Sequence, residues 1–386
     1  MQQQTLQEQD DIILHTNCPK TNSTDNLANN TGSENNYFTS KQLTFIDFFA
    51  GIGGFHSGLE LAGHRCVGYV EWDKHARKSY EAIYDTKGLY TGNDITEVRG
   101  TDLPNADVWC FGSPCQNISI AGNKRGLKGS ASSMFFEIIR CLKERTQHEQ
   151  STPTYLFMEN VKNLLSVNGG WDFAKVLIEM DKAGYDVEWQ VINSAWTIPQ
   201  NRERVFIVGH KRGVDSKQVF PITTDEIQKS RRHNSLQDVL EDNVDNKYLL
   251  KEKLVAKLNE HSLQRELNNY VDYGDPTGKI TAIYNGRKYG LFGDTHTILS
   301  PNGICTTLNT MSGGNREPKV GYKQNGKWVL RKLTPRECWR LQGFTDKQFD
   351  KAKNAGVSDS QLYKQAGNAV TVSVIYNIAK YFKINK

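Results

Sequence analysis

The sequence predicts an α/β protein: a doubly wound, mostly parallel sheet, with a second, smaller domain inserted after it. Two observations carry this reading. From residue 43, short apolar runs rich in β-branched residues alternate with segments whose apolar residues recur every three or four positions, as strands alternate with helices. After about residue 215 the rhythm is lost, and a polar stretch containing Gly and Asn runs to about 330. In such sheets ligands bind beyond the carboxyl ends of the strands, and the chemically useful residues of this chain fall there.

Taken in order, residues 1–40 are rich in Gln, Asn, Thr and Ser, with too little apolar surface to offset the entropy of ordering. They are expected to form a disordered polar tail. Strands are expected at Leu43–Phe49, Cys66–Glu71, Asp107–Phe111, Tyr155–Met158, Val187–Asn193 and Arg204–Gly209, and helices at Lys74–Tyr84, Met134–Glu144 and Phe173–Ala183. Residues 41–215 are then expected to form the first domain and 216–359 a second domain with its hinge. Val370–Phe382 reads as an amphipathic helix, so residues 360–386 are expected to return to the first domain.

The chain of 386 residues is long enough for two domains. Its seven cysteines form no CxxC pairs or close His clusters, so neither a structural zinc site nor a disulfide framework is indicated, and no metal is expected. No apolar run is long enough to cross a bilayer, and no basic-then-apolar leader opens the chain. A reducing, cytoplasmic location is therefore expected. Residues 281–340 hold ten Lys and Arg against three acids, a balance of +7, while the rest of the chain sums to −2 within a net charge of +5. An excess confined to one stretch suits a polyanion-binding face.

The first strand runs into Phe49-Ala50-Gly51-Ile52-Gly53-Gly54, a glycine-rich turn that allows close approach of backbone to ligand. The dinucleotide pattern GxGxxG fails at its sixth position, His56, which disfavours a nicotinamide oxidoreductase. Glu71, twenty residues after Gly51, can accept ribose hydroxyls. Trp72 can stack on a purine, and Asp94 in Gly92-Asn93-Asp94-Ile95 can accept from an exocyclic amine. With no phosphate-binding lysine beside them, these residues suit S-adenosylmethionine better than a nucleotide.

At the reactive end, Gly112-Ser113-Pro114-Cys115-Gln116 follows the apolar run Val108–Phe111, placing a thiol where a strand becomes a loop; its thiolate would be the nucleophile. A lone Pro-Cys pair is more often a buried small hydrophobe, so its companions matter. Glu159, just after the apolar run Tyr155–Met158, can be desolvated there and so act as a proton donor, the alternative being an ordinary hydrogen-bonded Glu capping a turn. Arg202 and Arg204, one residue apart on an extended segment, point the same way and can hold a carboxylate or a base carbonyl.

These residues belong to an ordered series: FIDFFAGIGGF (45–55), EWD (71–73), GNDIT (92–96), GSPCQNIS (112–119), MENVKN (158–163), QNRERVFIVG (200–209), RKLTPRECWRLQGF (331–344) and YKQAGNAVTVSV (363–374). The series closely resembles the DNA (cytosine-5) methyltransferases of bacterial type II restriction–modification systems. The resemblance implies the S-adenosylmethionine-dependent methyltransferase fold, with residues 216–359 as the target-recognition domain. Cys115 would attack C6 of a flipped cytosine, Glu159 would act at N3, and Arg204, with Arg202, would hold O2. Phe49, Gly51, Gly53, Gly54, Glu71, Trp72, Asp94, Ile95 and Pro114 would line the cofactor site, closed by Asn368. The family's usual Gly-Asn-Ser-Val reads Gly367-Asn368-Ala369-Val370 here. The loop from Gln116 and Ser119 through Lys124, Arg125 and Lys128 would close over DNA. Thr307, Leu308 and Arg316 resemble the family's recognition loops, with the 281–340 basic residues mainly positioning phosphates. Double-stranded DNA is the implied partner, with a cognate restriction endonuclease acting on the same site. An RNA cytosine methyltransferase of the same fold is the close alternative, and a noncatalytic DNA-binding descendant a more distant one.

Overall fold

The computed structural model describes residues 42–113, 134–229, 233–250, 282–284, 297–311, 316–324 and 327–384. Its centre is a seven-stranded sheet of order β3-β2-β1-β4-β5-β7-β6. The strands are β1 (Thr44–Phe48), β2 (Arg65–Val70), β3 (Tyr90–Gly92), β4 (Val108–Phe111), β5 (Tyr155–Val161), β6 (Tyr185–Asn193) and β7 (Glu203–Lys211). Strands β1 to β5 pair parallel, whereas β7 runs antiparallel to both β5 and β6. The mixed α/β, mostly parallel architecture is the one the sequence predicts.

The continuous apolar runs arise because both faces of the sheet are covered. Trp109, Phe111, Leu156, Met158, Val205 and Ile207 face one core. Their neighbours Val108, Cys110, Tyr155, Phe157, Phe206 and Val208 face the other, as the period of two requires. Helices α1 (Gly54–Leu61), α2 (Lys74–Ile83), α3 (Met134–Gln147) and α4 (Trp171–Lys182) connect the strands. The described cysteines, Cys66, Cys110, Cys141, Cys305 and Cys338, are buried free thiols. No helix among the described residues is long and apolar enough to cross a membrane.

Beyond residue 215 lie α5 (Thr224–Gln228) and a second sheet of order β11-β10-β9-β8, formed by β8 (Ala282–Tyr284), β9 (Ile298–Leu299), β10 (Lys319–Gln324) and β11 (Lys327–Lys332). Four helices follow: α6 (Pro335–Arg340), α7 (Asp346–Asn354), α8 (Asp359–Asn368) and α9 (Val372–Ala379). Helix α7 bonds back to the first sheet's layer, Gln348 Nε2 donating to Ser57 Oγ at 2.8 Å and Lys351 Nζ to the Ile83 carbonyl at 2.8 Å. The chain end is fastened there too. His64 Nε2 lies 3.1 Å from the Ala379 carbonyl, and Tyr155 Oη donates to the Lys383 carbonyl at 2.7 Å.

Candidate active site

The parallel strands bring their carboxyl ends to one edge of the sheet, and the antiparallel β7 brings its amino end there. Behind β1 the backbone turns with Phe49 at φ 54°, Gly51 at 58° and Gly53 at 83°, the left-handed region that favours glycine. A Cβ on Gly53 would lie 2.3 Å from the Tyr84 ring and one on Gly54 2.6 Å from Val370, so helix α1 seats only without side chains there. A Cβ on Gly51 would meet nothing within 4 Å, which leaves open space over the turn. Glu71 faces that turn: the Gly51 N–H donates to Oε2 and the Asp73 N–H to Oε1, each at 2.7 Å. Burial raises the Glu71 carboxyl from its ordinary range, opposed by these two N–H donors. Behind the turn Asp47 is fully buried, which pushes its carboxyl well above the usual range.

Trp72, next to Glu71, leaves 75% of its surface exposed. Asp94 Oδ1 accepts from the Thr96 N–H and hydroxyl at 2.9 and 2.8 Å. Ile95 is packed in the core with its carbonyl bonded to Arg140 Nη2 at 2.8 Å, and Asn368 is exposed at the end of α8. An open glycine turn, a carboxylate with lone pairs to spare and an exposed indole are groups that could hold an adenosyl moiety.

At the reactive edge Glu159 is 7% exposed, and Arg204 Nε meets its Oε1 at 3.0 Å. The antiparallel register explains the meeting, with Glu159 opposite Phe206 and Val161 opposite Arg204. The end of β4 is close by, since a Cβ on Gly112 would sit 3.4 Å from Glu159 Oε2. Asn160, which the sequence reading gives no role, is fully buried and its Nδ2 donates to Ser113 Oγ at 3.2 Å. The polar pair Glu159-Asn160 following the apolar run Tyr155–Met158 was the available signal. Pro114, Cys115, Gln116, Ser119, Lys124, Arg125 and Lys128 lie outside the described residues.

Arg202 has different surroundings from Arg204. It is buried, with Nη1 donating to the Leu308 carbonyl at 3.2 Å and Nη2 to the Gly367 and Ala369 carbonyls at 3.2 and 2.9 Å. Thr307 is exposed, whereas Leu308 keeps only 2% exposure and belongs to the core; Arg316 is exposed. Gln200, also without a role in the sequence reading, is fully buried between Leu308 and Leu341.

The basic stretch needs a correction. Arg331, 1% exposed, is held bidentately by Glu337, and Lys332 pairs with Glu317. Arg336 pairs with Glu241 and Asp350, and Arg340 with Asp346. Lys319 is buried, its amine pushed down to about 8 by desolvation. Five of the ten basic residues are thus buried or paired with acids, so the linear count overstates the free positive charge that the described part of the stretch presents. The local count misled because Glu241, Asp346 and Asp350 lie outside it in sequence.

Residues 43–383 match the family described as C-5 cytosine-specific DNA methylase. The chain is 33% identical over 344 residues to the type II methyltransferase M.HhaI of Haemophilus parahaemolyticus, covering 88% of this chain and 94% of that one. It is 34% identical over 346 residues to the type II methyltransferase M.SsoII of Shigella sonnei, covering 87% and 78%. Against the orphan methyltransferase M.SPBetaI of Bacillus phage SPbeta the identity is 29% over 437 residues, covering 87% and 96%. Among solved structures, the Entamoeba histolytica methyltransferase EhMeth superposes with a TM-score of 0.64 at 16% identity, covering 88% and 98%. The S. pombe methyltransferase Dnmt2 superposes with a TM-score of 0.60 at 19% identity, covering 87% and 96%. At these identities the structural likeness is one of fold.

Proposed function

The chain belongs to the C-5 cytosine-specific DNA methylase family and is a DNA (cytosine-5) methyltransferase, and from that premise we propose what it acts on and with which residues. The target is a cytosine rotated out of a short specific site in duplex DNA. The donor, implied by family and fold, is S-adenosylmethionine. Methylation protects the site from a cognate restriction endonuclease in the cytoplasm, a reading supported by the type II relatives. Residues 41–215 carry the chemistry and cofactor, 216–359 read the DNA, and 360–386 complete the first domain.

The observation that carries the site assignment is the buried Glu159 paired with the half-buried Arg204 beside the end of β4, where Gly112 stands three residues before Cys115 in sequence. C6 lies inside the base stack, so the nucleotide must be extruded at a cost of roughly a few kcal/mol. Arg204 then holds O2 and keeps Glu159 oriented. The Cys115 thiolate forms a bond to C6 while Glu159 gives its proton to N3, so the ring's electron pair shifts to make C5 an enamine carbon. Bound S-adenosylmethionine supplies the electrophilic methyl group that C5 accepts. Loss of the C5 proton to a base re-forms the C5–C6 double bond and breaks the bond to Cys115, and the N3 proton returns to Glu159. Glu71 takes the ribose hydroxyls, Trp72 stacks on the purine, Asp94 accepts from its amine, and the Phe49–Gly54 turn, Ile95, Pro114 and Asn368 line the rest.

Incubation with radiolabelled S-adenosylmethionine and duplex DNA, beside tRNA and a Cys115→Ser control, tests this. Label at one short DNA motif, mapped as 5-methylcytosine and absent in the control, is expected. Label in tRNA would replace the proposed substrate, and label surviving in Cys115→Ser would remove Cys115 from the mechanism.

A further inference from the structure

The segment that leads into β7 is tied to residues more than a hundred positions away. The Asn201 N–H donates to the Cys305 carbonyl and the Cys305 N–H to the Pro199 carbonyl, each at 2.8 Å, giving a parallel bridge between Gln200 and Cys305. The side chain of Gln200, wholly removed from solvent, spans the junction. Its Oε1 accepts from the Leu308 N–H at 3.0 Å and its Nε2 donates to the Leu341 carbonyl at 2.5 Å. Thr307 Oγ1 donates to the Asn201 carbonyl at 2.6 Å, and Arg202 adds its bond to the Leu308 carbonyl. Two residues further on stands Arg204, against Glu159. A short, fully bonded path therefore runs from the 305–308 segment to the carboxylate assigned to N3.

A buried amide bonded at both ends fixes the distance between the backbones it joins, because moving either one strands a buried polar group. Any shift of the 305–308 segment is then carried to the start of β7. We propose that Gln200 is a positioning residue for specificity: it couples the seating of the Cys305–Leu308 segment on DNA to the placement of Arg204 at Glu159. A wrong site is thereby penalised in turnover and not only in binding. This rests on the reading above, in which Thr307 faces DNA and Arg204 seats the base.

The test compares wild type with Gln200→Met, which keeps the volume and removes both bonds. Gln200→Asn, which keeps an amide but is one methylene short of the span, serves as the milder variant. For each, kcat and KM are measured on the duplex site mapped for wild type and on duplexes with single base-pair changes. The ratio of kcat/KM values between sites is independent of how much of the preparation is folded, so poor folding does not imitate the effect. Coupling predicts that discrimination falls at least tenfold, chiefly in kcat, while the affinity for S-adenosylmethionine without DNA stays within twofold. A discrimination ratio equal to that of wild type, at whatever activity, overturns the proposal and leaves Gln200 as packing. Absence of any site preference in wild type itself would instead overturn the reading on which the proposal rests.

Discussion

At the scale of single residues, the Glu159–Arg204 pair is where structure and chemistry meet. Both side chains are largely withdrawn from water, with 15% and 9% of the Arg204 and Glu159 side chains exposed, and Arg204 divides its donors between Glu159 and the Glu203 carbonyl at 2.8 Å. Replacing Glu159 by Gln removes the acidic carboxyl proton while keeping shape. Single-turnover methylation of duplex DNA is expected to fall by about 10²–10⁴-fold, the usual range for a general acid, with binding of S-adenosylmethionine little changed. An Arg204→Lys enzyme keeps the charge but loses the planar fork, so it should fold and still be slower by about tenfold or more. A Glu159→Gln enzyme at wild-type rate would end the assignment. The position of Glu159 was legible in the sequence because the apolar run Tyr155–Met158 ends just before it, although β5 itself continues to Val161. Its partner was not, since the pairing depends on β7 running antiparallel to β5. The different fates of Arg202 and Arg204 depend on carbonyls at 308, 367 and 369, far from either arginine in sequence.

At the scale of elements, Asp359 shows how the polar second half of the chain is held. It opens α8, where a negative charge also suits the helix dipole, and it accepts from Lys353 of α7 at 2.5 Å and from Lys247 and Tyr248 at 2.9 Å. Burial would raise its carboxyl, but Lys353, Lys247 and Tyr248 override that and hold it at about 2. A folded value below the ordinary 3.8 means that the charged form stabilises the fold above that value, and that this contribution is lost as pH falls through about 2. Asp359→Asn is therefore expected to lower stability at neutral pH by about 1 kcal/mol, allowing for solvent screening of a partly exposed group. Urea unfolding should show the gap closing towards acid pH; a gap that stays constant would mean that the carboxylate charge is not the cause. The main strands and helices before residue 215 were legible from their apolar periodicity. Strand β3 was not, because Tyr90-Thr91-Gly92 has no apolar run. Helices α6 and α7 were not expected either, although the capping pairs Thr334–Glu337 and Thr345–Gln348 stand at their starts, and such pairs say nothing of the layer on which α7 packs.

At the scale of the whole molecule, the fold redistributes the charge that a linear count of the sequence suggests. A linear count over 281–340 gives a strong basic excess, yet the fold spends Arg331, Arg336, Arg340 and Lys332 on acids and buries Lys319. Arg316, by contrast, is exposed on the segment between Met311 and β10. Phosphate contacts release counterions, so each one lost should lower the slope of log affinity against log salt by roughly one. Arg316→Ala is expected to reduce that slope by about one with thermal stability unchanged. Joint replacement of Lys124, Arg125 and Lys128 by Ala should reduce it by about two to three. Arg340→Ala, in contrast, should leave the slope as in wild type and lower the melting temperature, because its bidentate partner Asp346 and the Val239 carbonyl lose their donor. Fluorescence anisotropy titrations of a labelled duplex at several salt concentrations, beside thermal melts, separate the two classes. A drop in slope for Arg340→Ala would show that its ion pair opens on DNA, in which case the basic stretch contributes to phosphate binding only after the protein rearranges.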